Sequence, residues 1–145
     1  RFIIAILFAV LLLATGCKKT QDAIQQDILQ QYFETNILNR NFIVKLATDN
    51  GTDLTSQFTG YTFVLFKSTN YNGPMVGTKN GVSTTGTWSS NNDFSKLTIS
   101  LTDPTIPAEF IFLNRIWRFT KKAVPVMELA PSGNPDPIVL HMQRL

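Results

Sequence analysis

From Asn41 to its end the chain is interrupted again and again by Asn, Gly and Pro, and between the interruptions apolar and polar residues take turns. Segments this short with a period of two are strands, because successive side chains of an extended backbone point to opposite faces. The pattern predicts strands at Phe42–Ala47, Tyr61–Lys67, Met75–Lys79, Gly86–Ser90, Lys96–Leu101, Ile116–Lys121, Val126–Leu129 and Ile138–Arg144. Lys96–Leu101 is the clearest case, with Leu97, Ile99 and Leu101 on one face and Lys96, Thr98 and Ser100 on the other. Asn80-Gly81 is a two-residue hairpin signal, since both central positions of a type I′ turn need positive φ. Two prolines in Thr102–Pro107 cannot continue a central strand. About eight strands joined by short links, each with one wet face, predict an antiparallel up-and-down barrel. The alternative is a β-sandwich, for which only Thr102–Asn114 could supply the long crossing connection.

The N-terminal part is of another kind. Phe2–Leu13 is apolar and uncharged, and it is followed by Ala14-Thr15-Gly16 and then Cys17, the only cysteine of the chain. A helix over this run would rise roughly 18 Å, against roughly 30 Å of bilayer hydrocarbon, so it suits an export signal better than a permanent span. Leu12-Leu13-Ala14-Thr15-Gly16-Cys17 resembles the lipobox of bacterial lipoprotein signals. That resemblance implies cleavage between Gly16 and Cys17, a diacylglycerol on the thiol of Cys17, and acylation of the new amino group with a palmitate-like chain. The other reading of Cys17 is a buried structural thiol after a core helix. The expected division is a signal peptide over 1–16, a lipid-anchored tether with an amphipathic helix over 17–39, and a β domain over 40–145. The expected location is the bacterial cell envelope, at the outer membrane, with either face open. The chain opens on Arg1 rather than Met, so further residues are expected before it.

Thr20–Asn39 predicts the amphipathic helix. Ala23, Ile24, Ile28, Leu29, Tyr32, Phe33, Ile37 and Leu38 recur at helical spacing, and five glutamines cover much of the rest. Glutamine in place of Lys or Arg on the polar side argues for packing on the β domain rather than for lying in a lipid interface. The strand Tyr61–Lys67 is apolar on both faces, and this helix is a candidate cover for its outer side.

Charge narrows the function. The chain carries thirteen Lys/Arg against ten Asp/Glu, and without Arg1, Lys18 and Lys19 ten remain against ten. Lys45, Lys67, Lys79 and Lys96 fall one per strand, with no basic run of the kind that tracks phosphates, so nucleic acid is not an expected partner. The same inventory argues against an enzyme. His141 is the only histidine, and on the last strand it shares the outward face with Val139 and Gln143. A zinc site needs three or four ligands, and a general base needs a nucleophile and an orienting group beside it. The Asp49-Asn50-Gly51-Thr52-Asp53 loop superficially resembles a calcium loop, but Gly60 stands where the closing bidentate Glu belongs. It reads as a hairpin turn. No metal or cofactor is expected.

The aromatic residues remain: Phe58, Tyr61, Phe63, Phe66, Trp88, Phe94, Phe110, Phe112, Trp117 and Phe119. They make either a solid core or the walls of an apolar cavity. Phe58-Thr59-Gly60-Tyr61-Thr62-Phe63, Thr85-Gly86-Thr87-Trp88-Ser89 and Leu113-Asn114-Arg115-Ile116-Trp117-Arg118-Phe119, with the two Asn-Gly turns, resemble the lipocalin-like lipoproteins of Bacteroidota. The resemblance covers about residues 40–145, with Phe42 where that family usually has Trp. It implies a small calyx-like barrel, often without a known ligand. Two functions are therefore expected: a structural or interaction accessory protein of the envelope, in contact with an envelope protein, or a tethered carrier of a small apolar ligand.

Overall fold

The computed structural model describes residues 2–133 and 137–145, with side chains described from Lys18 onward. One long helix, α1 (Phe2–Asn36), precedes nine strands: β1 (Asn41–Asp49), β2 (Thr52–Asp53), β3 (Thr62–Leu65), β4 (Asn72–Lys79), β5 (Val82–Ser90), β6 (Lys96–Asp103), β7 (Ile116–Lys121), β8 (Val126–Pro131) and β9 (Ile138–Arg144). A 3-10 turn, Thr55–Phe58, follows β2, and a one-turn helix, α2 (Phe110–Leu113), lies between β6 and β7. The strand order is β2-β1-β3-β4-β5-β6-β7-β8-β9, every pair is antiparallel, and β9 returns to pair with β1 from Asp49↔Ile138 to Phe42↔Arg144. β1 and β3–β9 thus form a closed eight-stranded up-and-down barrel, and the sandwich alternative falls away. β2 is a short flap at the end of β1.

Closure follows from the alternation. Phe42 and Val44 on β1, Phe63 and Leu65 on β3, Leu97, Ile99 and Leu101 on β6, and Leu140 and Met142 on β9 are all buried inside, with their sequence neighbours outside. The two Asn-Gly turns form as the sequence requires, with positive φ at Asn50 and Gly51 and at Asn80 and Gly81. Bulges at Val44/Leu46, Thr85/Gly86 and Phe119/Lys121 help the sheet curve shut.

Several boundaries differ from the pattern-based expectation: β1, β5, β6 and β8 are longer, with β5 beginning at Val82 and β6 reaching Asp103, and three further differences shape the ends of the barrel. β4 begins at Asn72 and runs through Gly73 and Pro74, which read as a turn in the sequence; a Cβ on Gly73 would lie 1.9 Å from the Phe66 carbonyl oxygen, so only glycine lets this strand start pass the preceding loop. β3 stops at Leu65 rather than Lys67, because Phe66 already belongs to that loop. Within Thr102–Asn114 a short helix forms, not a bare loop, and puts Phe110, Phe112 and Leu113 into the core.

The helix differs more. Instead of Thr20–Asn39 it spans Phe2–Asn36, and its last turn and the residues just beyond it belong to the barrel core. It does not cover the outer side of β3. Phe33, Ile37 and Leu38 enter the open end of the barrel and are buried, whereas Ala23, Ile24 and Ile28 face solvent. Phe33 packs on Trp88, Phe94 and Phe119 with ring centroids 5.7, 4.9 and 6.1 Å away. An aromatic mouth offers more contact to a helix end than the flank of a four-residue strand does. The helix stops with a left-handed Asn39, whose amide donates to the Leu65 carbonyl and whose side chain accepts from the Lys67 amide, so the chain passes directly into β1.

Candidate functional site

An up-and-down barrel has two poles, and each is built by a different set of loops. The entry pole, where α1 docks, carries the start of β1 and the β3–β4, β5–β6 and β7–β8 connections. Here Gln26 Nε2 donates to the Tyr71 hydroxyl (3.2 Å) and to the Asn92 carbonyl (3.3 Å), and Tyr32 donates to the Lys122 carbonyl (2.7 Å). Glu34 pairs with Lys67, and Arg144 Nη1 donates to the Asn36 side chain (3.3 Å). Trp88 Nε1 donates to the Phe66 carbonyl (2.7 Å), tying the barrel wall to the rim. In the same rim Asn70 Oδ1 is shielded from solvent without a hydrogen-bond partner.

The far pole is sealed by the 3-10 turn and the β6–β7 connection. Phe58 meets Phe112, Phe110 meets Tyr61 and Phe63, and Phe112 meets Trp117, all with centroids between 4.9 and 6.0 Å. Gly77 makes the space: a Cβ there would stand 2.9 Å from the Phe63 ring and 3.0 Å from that of Phe110. Tyr61 donates to Glu109 Oε1 (2.7 Å), and Lys79 Nζ lies 4.9 Å from the same ring. Burial and the Glu109 carboxylate push the Tyr61 hydroxyl up to about 12. Arg115 spreads over Phe112 and Trp117, at 5.0 and 5.2 Å, and burial lowers its tendency to hold a proton, opposed in part by Asp49. Asn114 faces the β6 backbone; its side chain accepts from the Leu101 amide and donates to the Leu101 carbonyl, both at 2.8 Å. It thereby replaces a strand partner where β7 has not yet begun.

Between the poles the inward positions hold Phe42, Leu65, Met75, Trp88, Leu97, Ile99, Trp117, Met127, Leu129 and Met142, each 1% exposed or less. Three surface grooves lie outside this core. One, of about 330 Å³, runs between α1 and the β5–β6 turn and is lined by Asp22, Gln25, Gln26, Leu29, Asn92 and Asp93. A second, of about 410 Å³, lies over Gly73, Pro74, Gly86 and Thr87; a third, of about 310 Å³, lies over Ile43, Thr59 and Tyr61. The first has the most polar convergence, but Gln26 already spends its amide on Tyr71 and Asn92. The Asp93 carboxylate is held below the usual range by the Ser95 side chain and amide.

The residues singled out by sequence fall as follows. Gly16 and Cys17, the cleavage and lipidation pair, lie outside the residues whose side chains are described. His141 sits on the outer wall, 25% exposed, opposite Glu128 with Nε2 3.9 Å from Oε2. The Asp49–Asp53 stretch is the β1–β2 hairpin, and its carboxylates serve the turn: Asp49 accepts from Asn50 and Asp53 from the Thr55 amide, both at 2.8 Å. Among the described residues no group of three or more His, Cys, Asp or Glu side chains is placed to hold a metal ion. Of the ten aromatics, Phe66 alone is on the exposed side, at 42%. The sequence reading missed the role of Phe33 as a core residue of the barrel; the signal was its place among Tyr32, Ile37 and Leu38 at the very end of the helix. Among the described residues no helix is long and apolar enough to cross a membrane, which says nothing of strands. No protein-family model, no curated protein and no solved structure matches this chain.

Proposed function

We propose that the chain is an envelope lipoprotein, anchored through Cys17, whose barrel is a non-catalytic structural or interaction module. The observation that carries the second half is the set of large, fully buried side chains at the inward positions. Large side chains fill the inward positions, Phe33 closes one mouth from within the chain, and Phe110 and Phe112 close the other. A calyx carrier needs a cavity of several hundred Å³ that encloses its ligand, and the grooves here are on the outer surface. The first half rests on the lipobox-like segment and on the lipocalin-like motifs of the β domain. A protein of this kind acts by what its surface touches, so its partner is expected to be another envelope component.

Two measurements test the reading. In bacterial cells given a clickable palmitate analogue, the chain is expected to take up label and to lose it with Cys17→Ser; label retained in that variant would remove the anchor. Native mass spectrometry of the purified chain is expected to show the barrel without a stoichiometric small molecule. A bound apolar ligand released on unfolding would instead establish the carrier.

A further inference from the structure

The cations that are scattered along the sequence are not scattered in space. Arg40 precedes β1, Lys67 follows β3, Lys96 opens β6, Lys121 ends β7 and Arg144 ends β9, and in an up-and-down barrel all five of those strand ends lie at the entry pole. Arg118 joins them as the cross-strand partner of Lys96. Lys18 and Lys19 extend the set along α1, both exposed. The carboxylates on this side are fewer: Glu34 and Glu128 offset Lys67 and Lys121, Asp93 accepts from the Ser95 amide at 3.0 Å, and Asp22 and Asp27 are exposed on α1, which leaves the cations in excess. The far pole has the opposite character, with Asp49, Asp53, Asp103 and Glu109 against Lys79 and Arg115. Exposed apolar side chains occur at both ends: Phe66 on the rim and Ile24 and Ile28 on the helix at the entry side, and Val82, Ile106, Ile111 and Ile116 at the far pole, so charge is what distinguishes the two.

We propose that the entry pole is a docking surface for the face of an anionic lipid bilayer, with the acidic far pole turned away. The occupant follows from charge complementarity, which sets the entry pole apart from the far one; the apolar groups beside its cations add the second contribution that holds a protein at a lipid interface. Cations act on such a surface only within a Debye length, about 8 Å at physiological salt. A rim that gathers them at one end can meet this condition; the same number spread over the barrel wall could not. Beyond Lys19 the polar side of α1 carries no basic residue of the kind that interfacial binding calls for, and the barrel rim beside it supplies them. This inference rests on the anchored reading for its geometry, and adds to it which end of the barrel faces the bilayer.

The native lysines report the pose. The full lipidated chain is reconstituted into vesicles of phosphatidylglycerol with phosphatidylethanolamine, or of phosphatidylcholine alone, and lysine acetylation rates are read by mass spectrometry. On the anionic vesicles Lys67, Lys96 and Lys121 are expected to react about fivefold more slowly than on the neutral ones, the factor for one cation near such a surface. Lys45 and Lys79 are expected to be unchanged, and 0.5 M salt (about a 4 Å Debye length) to cancel the difference. Equal rates on both vesicles, or slowing at Lys79, would overturn the proposal. A chain with both Lys96→Glu and Arg118→Glu, at exposed wall positions, is expected to keep its circular dichroism and lose the slowing at Lys121; slowing retained there counts equally against it. Flotation of the same samples separates the two readings. A chain that floats with uniform rates keeps its anchor and loses this pose, whereas one that stays behind loses the anchored reading and the pose that rests on it.

Discussion

Asn114 shows how much one side chain can hold here. Its amide makes a donor and an acceptor contact to the Leu101 backbone, in a stretch where the sheet has lost its neighbouring strand. Asn114→Ala leaves both backbone groups unpaired and is expected to cost about 2–3 kcal/mol in denaturant unfolding. Asn114→Asp keeps the acceptor but sets a carboxylate against the Leu101 carbonyl, and should be no better. Gly86 is a second such position: a Cβ would lie 1.8 Å from the Ser100 carbonyl oxygen, so Gly86→Ala must displace β6. A loss of at least about 3 kcal/mol is expected in the same assay, and a value near zero would show that the strands separate freely. Tyr61 gives a pH signature. Its hydroxyl titrates near 12 in the folded chain against an ordinary value of 10.0, so the folded form keeps a proton that the unfolded form releases. The stability this contributes is present below pH 10 and is lost as pH rises toward 12. Ultraviolet titration should show a late tyrosine step that is absent in Tyr61→Phe.

At the level of elements, the strands were legible because their burial is one-sided and their turns carry strong local chemistry. Lys96–Leu101 and the Asn80-Gly81 hairpin needed no tertiary information, since alternation and positive φ are local properties. α1 was legible as a helix but not as a plug. Ile24 and Phe33 stand on opposite faces of a 3.6-residue helix, and the spacing alone cannot say which face and which turns the barrel takes up. Phe33→Ala tests the plug. It empties an aromatic site bounded by Trp88, Phe94 and Phe119, and is expected to cost about 3–5 kcal/mol. Hydrogen exchange should then rise through Gln26–Leu38 while the β4–β5 amides stay protected. If both regions exchange together, the helix and barrel form one cooperative unit and the plug is not separable. α2 escaped detection because four residues between prolines and a strand carry too little periodicity to mark a helix turn.

For the molecule as a whole, closure is the decisive event. The ladder from Asp49↔Ile138 to Phe42↔Arg144 joins the two ends of the β domain and leaves the barrel without free edges, apart from the small β2 flap. Removing β9 exposes β1 and β8 along their length and uncovers Leu140 and Met142 positions in the core. A chain ending at Pro137 is expected to aggregate on size-exclusion chromatography and to lose its cooperative thermal transition; a monomer with a sharp transition would mean that the remaining strands close without it. Closure also brings the ends of alternate strands to one pole, which is how residues as distant as Arg40, Lys96 and Arg144 share a surface.

The sequence by itself determined the strand series, the hairpins, the barrel class, the outward-facing His141 and the formal charge balance of the chain from Thr20 onward. Each of these depends on residue type and spacing within a few positions, or on composition alone. Only the tertiary structure decided that the helix enters the barrel mouth, that most of the aromatic set is buried in ring-to-ring contact, and that a chain formally neutral from Thr20 onward is basic at one pole and acidic at the other. Those properties depend on which strand ends meet and on what volume the closed sheet encloses, and neither quantity is encoded in any local window of the chain.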